Sequence, residues 1–167
     1  MYGTKDEATT RPDGGRANAP RIHGMAVYEL GNIITRSGFM TEIFREDWAL
    51  ADFPVRQINW VELNPGAVTD WHRHLRQTDH LLGVNGNVKL ALFDDRPDSP
   101  TRGVTEIVRM GAVRPVVVTV PPGVWHALRN ESGAPAGYLN ITDQLYVHAD
   151  PDNFRLPADA PEIAGLL

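Results

Sequence analysis

The sequence predicts an all-β protein, an antiparallel sandwich or small barrel of the jelly-roll type, formed as a single domain. Short runs of alternating or β-branched apolar residues recur at intervals of roughly ten residues, with turn residues between them. The chain has 15 Gly and 13 Pro among 167 residues, which suits short strands joined by turns. No stretch shows the sustained 3.6-residue periodicity of an amphipathic helix.

The predicted strands follow one another along most of the chain. Residues 1–20 are polar and rich in Gly, Pro, Thr and Ala, so we expect a flexible N-terminal arm before a single domain at 21–167. Asn85-Gly86 predicts a tight two-residue hairpin, and Trp60 is expected in the core. About ten strands are predicted, at 25–30, 38–44, 56–63, around His72, and at 80–84, 88–93, 104–110, 116–120, 125–130 and 138–142.

Composition limits the binding partners and the cellular location to be expected for this protein. The net charge of -5 argues against a nucleic-acid or anionic-membrane partner, which requires a basic face. No apolar run approaches the roughly 20 residues that span a bilayer, and the N-terminus has no apolar signal-peptide core. The chain contains no cysteine, which fits a reducing compartment. We therefore expect a cytoplasmic protein with a small-molecule ligand.

The residues able to do chemistry lie in two segments. His72 and His74 are two residues apart and share one face of a strand, and Asp79 follows. His126 comes shortly after a Pro-Pro-Gly turn at 121–123. Inward positions of facing strands converge in a small barrel, so we expect His72 and His74 from one strand, Asp79 from the next, and His126 from the opposite half to meet. Three imidazoles and a carboxylate suit Fe(II), Mn(II), Ni(II) or Zn(II).

Both segments resemble motifs of the cupin superfamily. Gly66-x5-His72-x-His74-x4-Asp79-x6-Gly86 is similar to the first cupin motif, with Asp where Glu is usual. The Pro-x-Gly-x-x-His pattern at 121–126, followed by the Asn at 130, resembles the second cupin motif. The resemblance implies the cupin double-stranded β-helix, a jelly roll that is usually dimeric. It agrees with the strand pattern.

A longer resemblance, over residues 35–165, is to the dTDP-4-dehydrorhamnose 3,5-epimerases, the RmlC-like family, and their uncharacterised cupin relatives. It rests on matching segments throughout the chain. These are Gly38-Phe39 with Glu42 and Phe44, Gln57 with Asn59, the loop of Asp94-Asp95-Arg96 and Ser99-Pro100-Thr101, the turn at 121–126, and Asp159 to Ile163. The resemblance implies an enzyme that removes a proton next to a sugar ketone and requires no cofactor.

The resemblance also implies roles for individual residues. His72 corresponds to the base, Glu162 to the carboxylate that orients it, and Tyr138 to the acid on the other face of the substrate. A neutral imidazole near pH 7 is a competent base, and a carboxylate fixes its tautomer. Residues expected to contact the substrate are Gln57, Asn59, Arg76 and His126.

Four positions depart from the family pattern. Thr69 and Ser37 stand where the family has arginines, of which the first helps to hold the pyrophosphate. Asp79 replaces a lysine, and His74 replaces a glutamine. The last two changes complete the set of His72, His74, Asp79 and His126, which is similar to that of metal-binding cupins.

Three functions therefore remain open from the sequence. The first is an isomerase-type cupin enzyme acting on a carbonyl-containing, sugar-derived substrate, with His72 as the base. The second is a metal-dependent cupin, either an oxygenase or a metal-assisted isomerase. The third is a cupin that binds a small ligand without catalysis. A homodimer is expected in each case.

Overall fold

The fold is a jelly roll of two facing antiparallel sheets, as the sequence predicts. The computed structural model describes residues 5, 8–14, 17, 20–48, 54–157, 160, 163 and 165–167. In these residues there are twelve strands and no α-helix: β1 (Ala26–Glu29), β2 (Ile33–Thr35), β3 (Gly38–Met40), β4 (Gln57–Leu63), β5 (Trp71–Arg73), β6 (Asp79–Gly83), β7 (Asn87–Phe93), β8 (Thr105–Gly111), β9 (Val116–Val120), β10 (Trp125–Asn130), β11 (Ala136–Thr142) and β12 (Phe154–Leu156). The described part of the chain therefore contains no helix able to cross a membrane.

The strands are divided between two large sheets and one small one. The first sheet has the order β1-β9-β6-β11-β4, and the second has the order β12-β5-β10-β7-β8. The strands β2 and β3 form a separate two-stranded ribbon. Every pairing of neighbouring strands is antiparallel. This is the cupin architecture that the resemblance implies.

The core lies between the two large sheets. Strands β9 and β7 supply β-branched and leucine side chains that are almost wholly buried, including Val118 and Leu90. Burial of one such side chain contributes about 1.5–3 kcal/mol. Edge strand β4 alternates half-buried and exposed residues, so only one face of it turns inward. Trp60 lies on the outward face and is 54% exposed, so its predicted core position is wrong.

The predicted Asn85-Gly86 hairpin is also wrong. Strand β6 lies between β9 and β11, whereas β7 lies between β10 and β8 in the other sheet. The turn therefore carries the chain from one sheet to the other. Gly86 adopts φ of 63°, and a Cβ there would lie 2.6 Å from the Cβ of Ala136. Gly86 supplies a positive φ but Asn85 does not, so the type I′ turn that Asn-Gly favours does not form. A local signal also does not specify the partners of the flanking strands.

A second apolar cluster covers the outer face of the second sheet. Trp71 and Trp125 each precede a histidine and project away from the cavity, and both are buried with Ala160 and Ile163. Because side chains alternate along a strand, burying the tryptophans outside directs His72 and His126 inward. This packing sets the orientation of the histidines.

Candidate active site

Strand register brings three histidines together at one end of the barrel. His72 on β5 is the direct partner of His126 on β10, and their ring centroids are 4.0 Å apart. His74, one residue past β5, has its ring centroid 5.6 Å from that of His72. Asp79 begins β6 in the facing sheet. The ligand atoms of these four residues all lie within 4.8 Å of one another.

The four residues meet as expected, but not from the expected directions. His126 was expected from the half opposite His72, whereas the two lie on adjacent strands of the same sheet. Asp79 is the residue that approaches from the opposite sheet. In the second sheet β5 lies between β12 and β10, whereas β6, which carries Asp79, belongs to the first sheet.

Hydrogen bonds fix the tautomer of each imidazole. The Nδ1 atom of His72 lies 3.3 Å from the Asp70 carbonyl oxygen, and that of His126 lies 3.1 Å from the Val124 carbonyl oxygen. The Nδ1 atom of His74 contacts the Asp152 carbonyl oxygen. A carbonyl oxygen only accepts, so each Nδ1 carries the proton. In the neutral rings the lone pair is then on Nε2.

Two of these Nε2 atoms face a carboxylate rather than a donor. Oδ2 of Asp79 lies 3.3 Å from Nε2 of His74 and 3.1 Å from Nε2 of His126. Oδ1 of Asp79 accepts a hydrogen bond of 2.7 Å from Nε2 of Gln77. A lone pair facing a carboxylate is favourable only if the imidazole is protonated or if a cation lies between them. The donor set therefore fits a divalent metal ion, with backbone carbonyls orienting the ligands.

Ionisation of these residues follows from burial and charge. Burial of the Asp79 side chain, which is fully enclosed, would raise its pKa, but hydrogen bonds from His126 and His74 outweigh burial and lower it. Burial lowers the pKa of His74, but its interactions with Asp79 and Asp152 outweigh burial and raise it. The cluster consequently favours an ionised carboxylate with positive charge beside it.

His72 and Tyr138 have complementary proton affinities. Burial and the nearby charge of His126 lower the pKa of His72 to about 3, although Asp79 opposes the shift. Burial and the charge of Asp79 raise the pKa of Tyr138 to about 12, with a smaller opposing effect from Arg155. Near neutral pH, His72 is thus a neutral acceptor and Tyr138 a protonated donor.

The histidines open onto a cavity of about 570 Å³ between the sheets. Its far wall comes from β4 and β11, whose register aligns Gln57 with Thr142 and Asn59 with Asn140. Nε2 of Gln57 donates to Oδ1 of Asn59 at 2.9 Å, which holds the two amides in a fixed relation. Tyr138 lies on the same strand as Asn140, so the cavity has a histidine wall and a wall of tyrosine and amides.

The Asp152 clamp, by which we mean the contacts of Asp152 with residues 74–77, closes one side of the cavity. The Asp152 carboxylate accepts backbone hydrogen bonds from Leu75, Arg76 and Gln77 at 2.9, 2.8 and 3.1 Å. Its own carbonyl is the partner of His74 Nδ1. One residue thus fixes both the loop after β5 and the ring orientation of His74.

The predicted site residues differ in their access to the cavity. His72, His74, Tyr138, Gln57, Asn59 and Arg76 line it. His126 is only 1% exposed and lies behind His72, against Asp79. Glu162 lies outside the described residues, so its orienting role stays a prediction.

Several residues that line the cavity have no place in the predicted site, and four of them matter for its chemistry: Gln77, Asn140, Asp152 and Arg155. Gln77 precedes Asp79 by two residues, so period-two spacing was the available signal for it. Asn140 follows Tyr138 by two residues in the same way. Asp152 and Arg155 had no local signal, because they reach the site through contacts with segments more than 70 residues earlier in the chain.

Two curated proteins are similar to most of the chain. A probable low-salt glycan biosynthesis epimerase of Haloferax volcanii is 33% identical over 141 residues, which are 84% of this chain and 90% of that protein. The spore coat polysaccharide biosynthesis protein SpsL of Bacillus subtilis is 31% identical over 138 residues, 83% of this chain and 91% of its own length. No protein-family model matches the chain.

Solved structures agree with these relatives. A dTDP sugar isomerase from Desulfovibrio desulfuricans has a TM-score of 0.78 and 28% identity, covering 85% of this chain and 89% of its own. A 3'-monoepimerase from Streptomyces bikiniensis in complex with dTDP-quinovose has a TM-score of 0.77 and 26% identity. The match covers 87% of this chain and 75% of the monoepimerase chain.

Fold, cavity and relatives together define a cupin enzyme of the sugar-nucleotide epimerase and isomerase type. The chain belongs to the RmlC-like family of cupin sugar epimerases. The family and enzyme class that the resemblance implies are confirmed.

Proposed function

We propose that the cavity epimerises a nucleotide-linked keto-deoxy sugar, inverting a carbon next to the ketone with His72 as the base and Tyr138 as the acid. The observation that carries the proposal is that the imidazole of His72 on one sheet and the phenol of Tyr138 on the other line the same cavity. The lowered pKa of His72 and the raised pKa of Tyr138 agree with an acceptor and a donor at these positions. Inversion requires a proton to leave one face of the carbon and another to arrive at the opposite face.

The proton balance of the proposed step is simple. Nε2 of His72 takes the α-proton, and the electrons of the C–H bond pass into the enolate. Tyr138 then delivers its phenolic proton to the same carbon from the other face. The product has the inverted configuration, and the resulting imidazolium and phenolate exchange protons with solvent before the next turnover. No cofactor is needed for these two transfers.

The substrate class is supported by the relatives and by the cavity wall. Solved relatives include a 4-keto-6-deoxy sugar epimerase and complexes with dTDP or dTDP-quinovose. Gln57 and Asn59 offer amide groups suited to sugar hydroxyls, and Arg76 offers a cation at the cavity wall. Thr69 lines the cavity where the family has an arginine, so we expect a different hold on the nucleotide. The cytoplasmic location expected from the sequence stays a prediction.

Deuterium exchange tests the proposal. In D2O, wild-type protein is expected to exchange the protons next to the ketone of dTDP-linked 4-keto-6-deoxy-glucose, followed by NMR. Replacing His72 by Asn is expected to slow exchange by about 10²–10⁴-fold, because the general base is lost. The control is His23→Asn, since His23 is an exposed histidine remote from the cavity. Full exchange by the His72 variant would overturn the assignment of the base.

A metal-dependent activity is the second candidate, because the Nε2 atoms of His74 and His126 face Asp79. His72, His74, Asp79 and His126 would hold the ion. A divalent ion in such a set acts as a Lewis acid toward a carbonyl oxygen. Orientation of the ligands by backbone carbonyls is what such a site requires.

We also propose a homodimer. Large apolar side chains are exposed on the β2–β3 ribbon and on the outer face of β4, among them Ile34 at 80%, Phe39 at 56% and Trp60 at 54%. Apolar surface of this kind marks interaction sites more often than it occurs by chance on a monomer.

A further inference from the structure

Arg155 is a cavity cation whose position is set by strand register. On β12 it pairs directly with His72 on β5, and His72 pairs with His126 on β10. Direct cross-strand partners project from the same face of a sheet. Arg155, His72 and His126 therefore form one row facing inward, and Arg155 lines the cavity. The adjacent Phe154 turns outward, toward Arg73.

Arg155 has no counter-ion among the described residues. The other cavity arginine, Arg76, approaches Asp150 at 3.7 Å and Asp152 at 3.9 Å, so its charge is partly compensated. The charge of Arg155 reaches Tyr138, where it lowers the pKa that burial and Asp79 raise. Within the described part of the chain, the exposed guanidinium of Arg155 thus forms no salt bridge, and it lies on the strand beside the proposed base and within electrostatic range of the proposed acid.

Epimerisation next to a ketone places negative charge on the ketone oxygen as the α-proton leaves. A fixed positive donor aimed at that oxygen stabilises the transition state more than the ground state. The carboxylate of Asp79 lies within 4.8 Å of the ligand atom of His72, and its negative charge disfavours an enolate formed there. Tyr138 supplies a neutral hydrogen-bond donor, whereas a guanidinium keeps its charge at any working pH.

We propose that Arg155 binds the ketone oxygen of the substrate and stabilises the enolate formed when His72 removes the α-proton. This role rests on the proposed epimerase function. In the step, the C–H electrons form the new C=C bond, the carbonyl electrons move to oxygen, and the guanidinium donates a hydrogen bond without losing its proton. Arg155 is therefore a catalytic residue that the sequence pattern did not reveal.

A rival use of the same charge is binding the diphosphate of a nucleotide sugar. The diphosphate lies at the far end of the sugar from the reacting carbon, whereas Arg155 is the strand neighbour of the base. The position beside His72 favours the reacting centre. The two uses affect different kinetic constants, since a contact made only in the transition state changes kcat and a ground-state contact changes KM.

The test compares Arg155→Met and Arg155→Lys in deuterium exchange with dTDP-linked 4-keto-6-deoxy-glucose. The methionine variant is expected to lose about 10²–10³-fold in kcat with KM changed less than about threefold, and lysine is expected to restore part of the rate. The control is Arg73→Met, because Arg73 lies on the same strand pair but stacks on Trp125, 4.5 Å from the ring centroid, on the outer face.

The outcomes separate this role from the proposed function. A rise in KM alone assigns Arg155 to the diphosphate and overturns the enolate role. If the Arg155→Met variant exchanges at the wild-type rate while the His72 variant does not, the enolate-stabilising role of Arg155 is rejected and the proposed epimerase function stands. Absence of exchange by wild-type protein removes both the proposed function and the role that rests on it.

Discussion

His74 is the residue at which proton-transfer chemistry and metal chemistry diverge. A base such as His72 needs only one oriented nitrogen, but His74 directs its Nε2 atom at the carboxylate of Asp79, 3.3 Å away. Either a proton or a metal ion must lie on that line. The presence or absence of an ion therefore decides whether the cluster is a charged hydrogen-bond network or a coordination site.

Metal analysis of untagged protein is the residue-scale test. If the cluster is the coordination site of the second candidate function, dialysis against Zn(II), Mn(II), Ni(II) or Fe(II) should load about one divalent ion per chain, because three Nε2 atoms and a carboxylate form a complete ligand set. His74→Ala is expected to weaken binding at least tenfold, as measured by calorimetry with Zn(II). His148→Ala is the control, since His148 is exposed and remote from Asp79. If wild-type protein takes up no ion, the cluster is a charged hydrogen-bond network and the metal-dependent activity is excluded.

At the scale of elements, the loop between β7 and β8 is held by one buried carboxylate. Asp94 accepts hydrogen bonds from Nε of Arg96 at 2.8 Å, the hydroxyl of Ser99 at 2.6 Å and that of Thr101 at 2.7 Å. Arg96 and Thr101 also bond to the backbone of His23, ahead of β1. Burial would raise the pKa of Asp94, but these hydrogen bonds outweigh it and lower the pKa.

This loop predicts a specific response to acid. Because the folded-state pKa of Asp94 lies below its usual value of 3.8, its contribution to stability is complete above that value and is lost as the pH falls further. Asp94→Asn is expected to lower the free energy of unfolding by about 1–3 kcal/mol at pH 7. The deficit should shrink toward pH 3 in urea titrations.

The neighbouring residue provides the control for this prediction. The side chain of Asp95 is 47% exposed, and its ion pair with Arg102 spans 3.8 Å, so Asp95→Asn should change stability by less than about 0.5 kcal/mol. An Asp94→Asn deficit of constant size at every pH would contradict the role given to the ionised carboxylate.

The elements also show what sequence can and cannot predict. Strands β9 and β10 begin and end at their predicted residues. Strand β9 is a β-branched run between Pro115 and Pro121, and β10 begins shortly after the Pro-Pro-Gly turn at 121–123. The spacing of His72 and His74 predicted a shared face. Gly86 shows the limit, since a turn signal is local whereas strand partners are chosen by burial across the whole core. Asp152 and Arg155 show the same limit, because their partners are distant in sequence.

At the scale of the whole molecule, exposed apolar surface predicts association. The ring of Trp60 lies over Gly137 on the outer face of the first sheet and remains 54% exposed. We expect wild-type protein to sediment as a dimer, and Trp60→Glu to shift the equilibrium toward monomer, because a charge would be buried in the interface.

A lone exposed valine provides the comparison. Val113 is 92% exposed in the turn between β8 and β9, so Val113→Glu should leave the sedimentation unchanged. Monomeric wild-type protein at every concentration would exclude the dimer. A Trp60→Glu dimer as stable as that of the wild type would place the interface on another surface.

The Asp152 clamp has a consequence for the order in which the protein becomes competent. The barrel core forms from strands that end with β11 at Thr142, whereas His74 and the 75–77 loop take their orientation from a residue ten positions further along. During synthesis, a chain that has emerged only as far as β11 already contains the core strands of both sheets. Its pocket lacks the contacts that aim His74, so the site can be completed only after Asp152 has joined the fold.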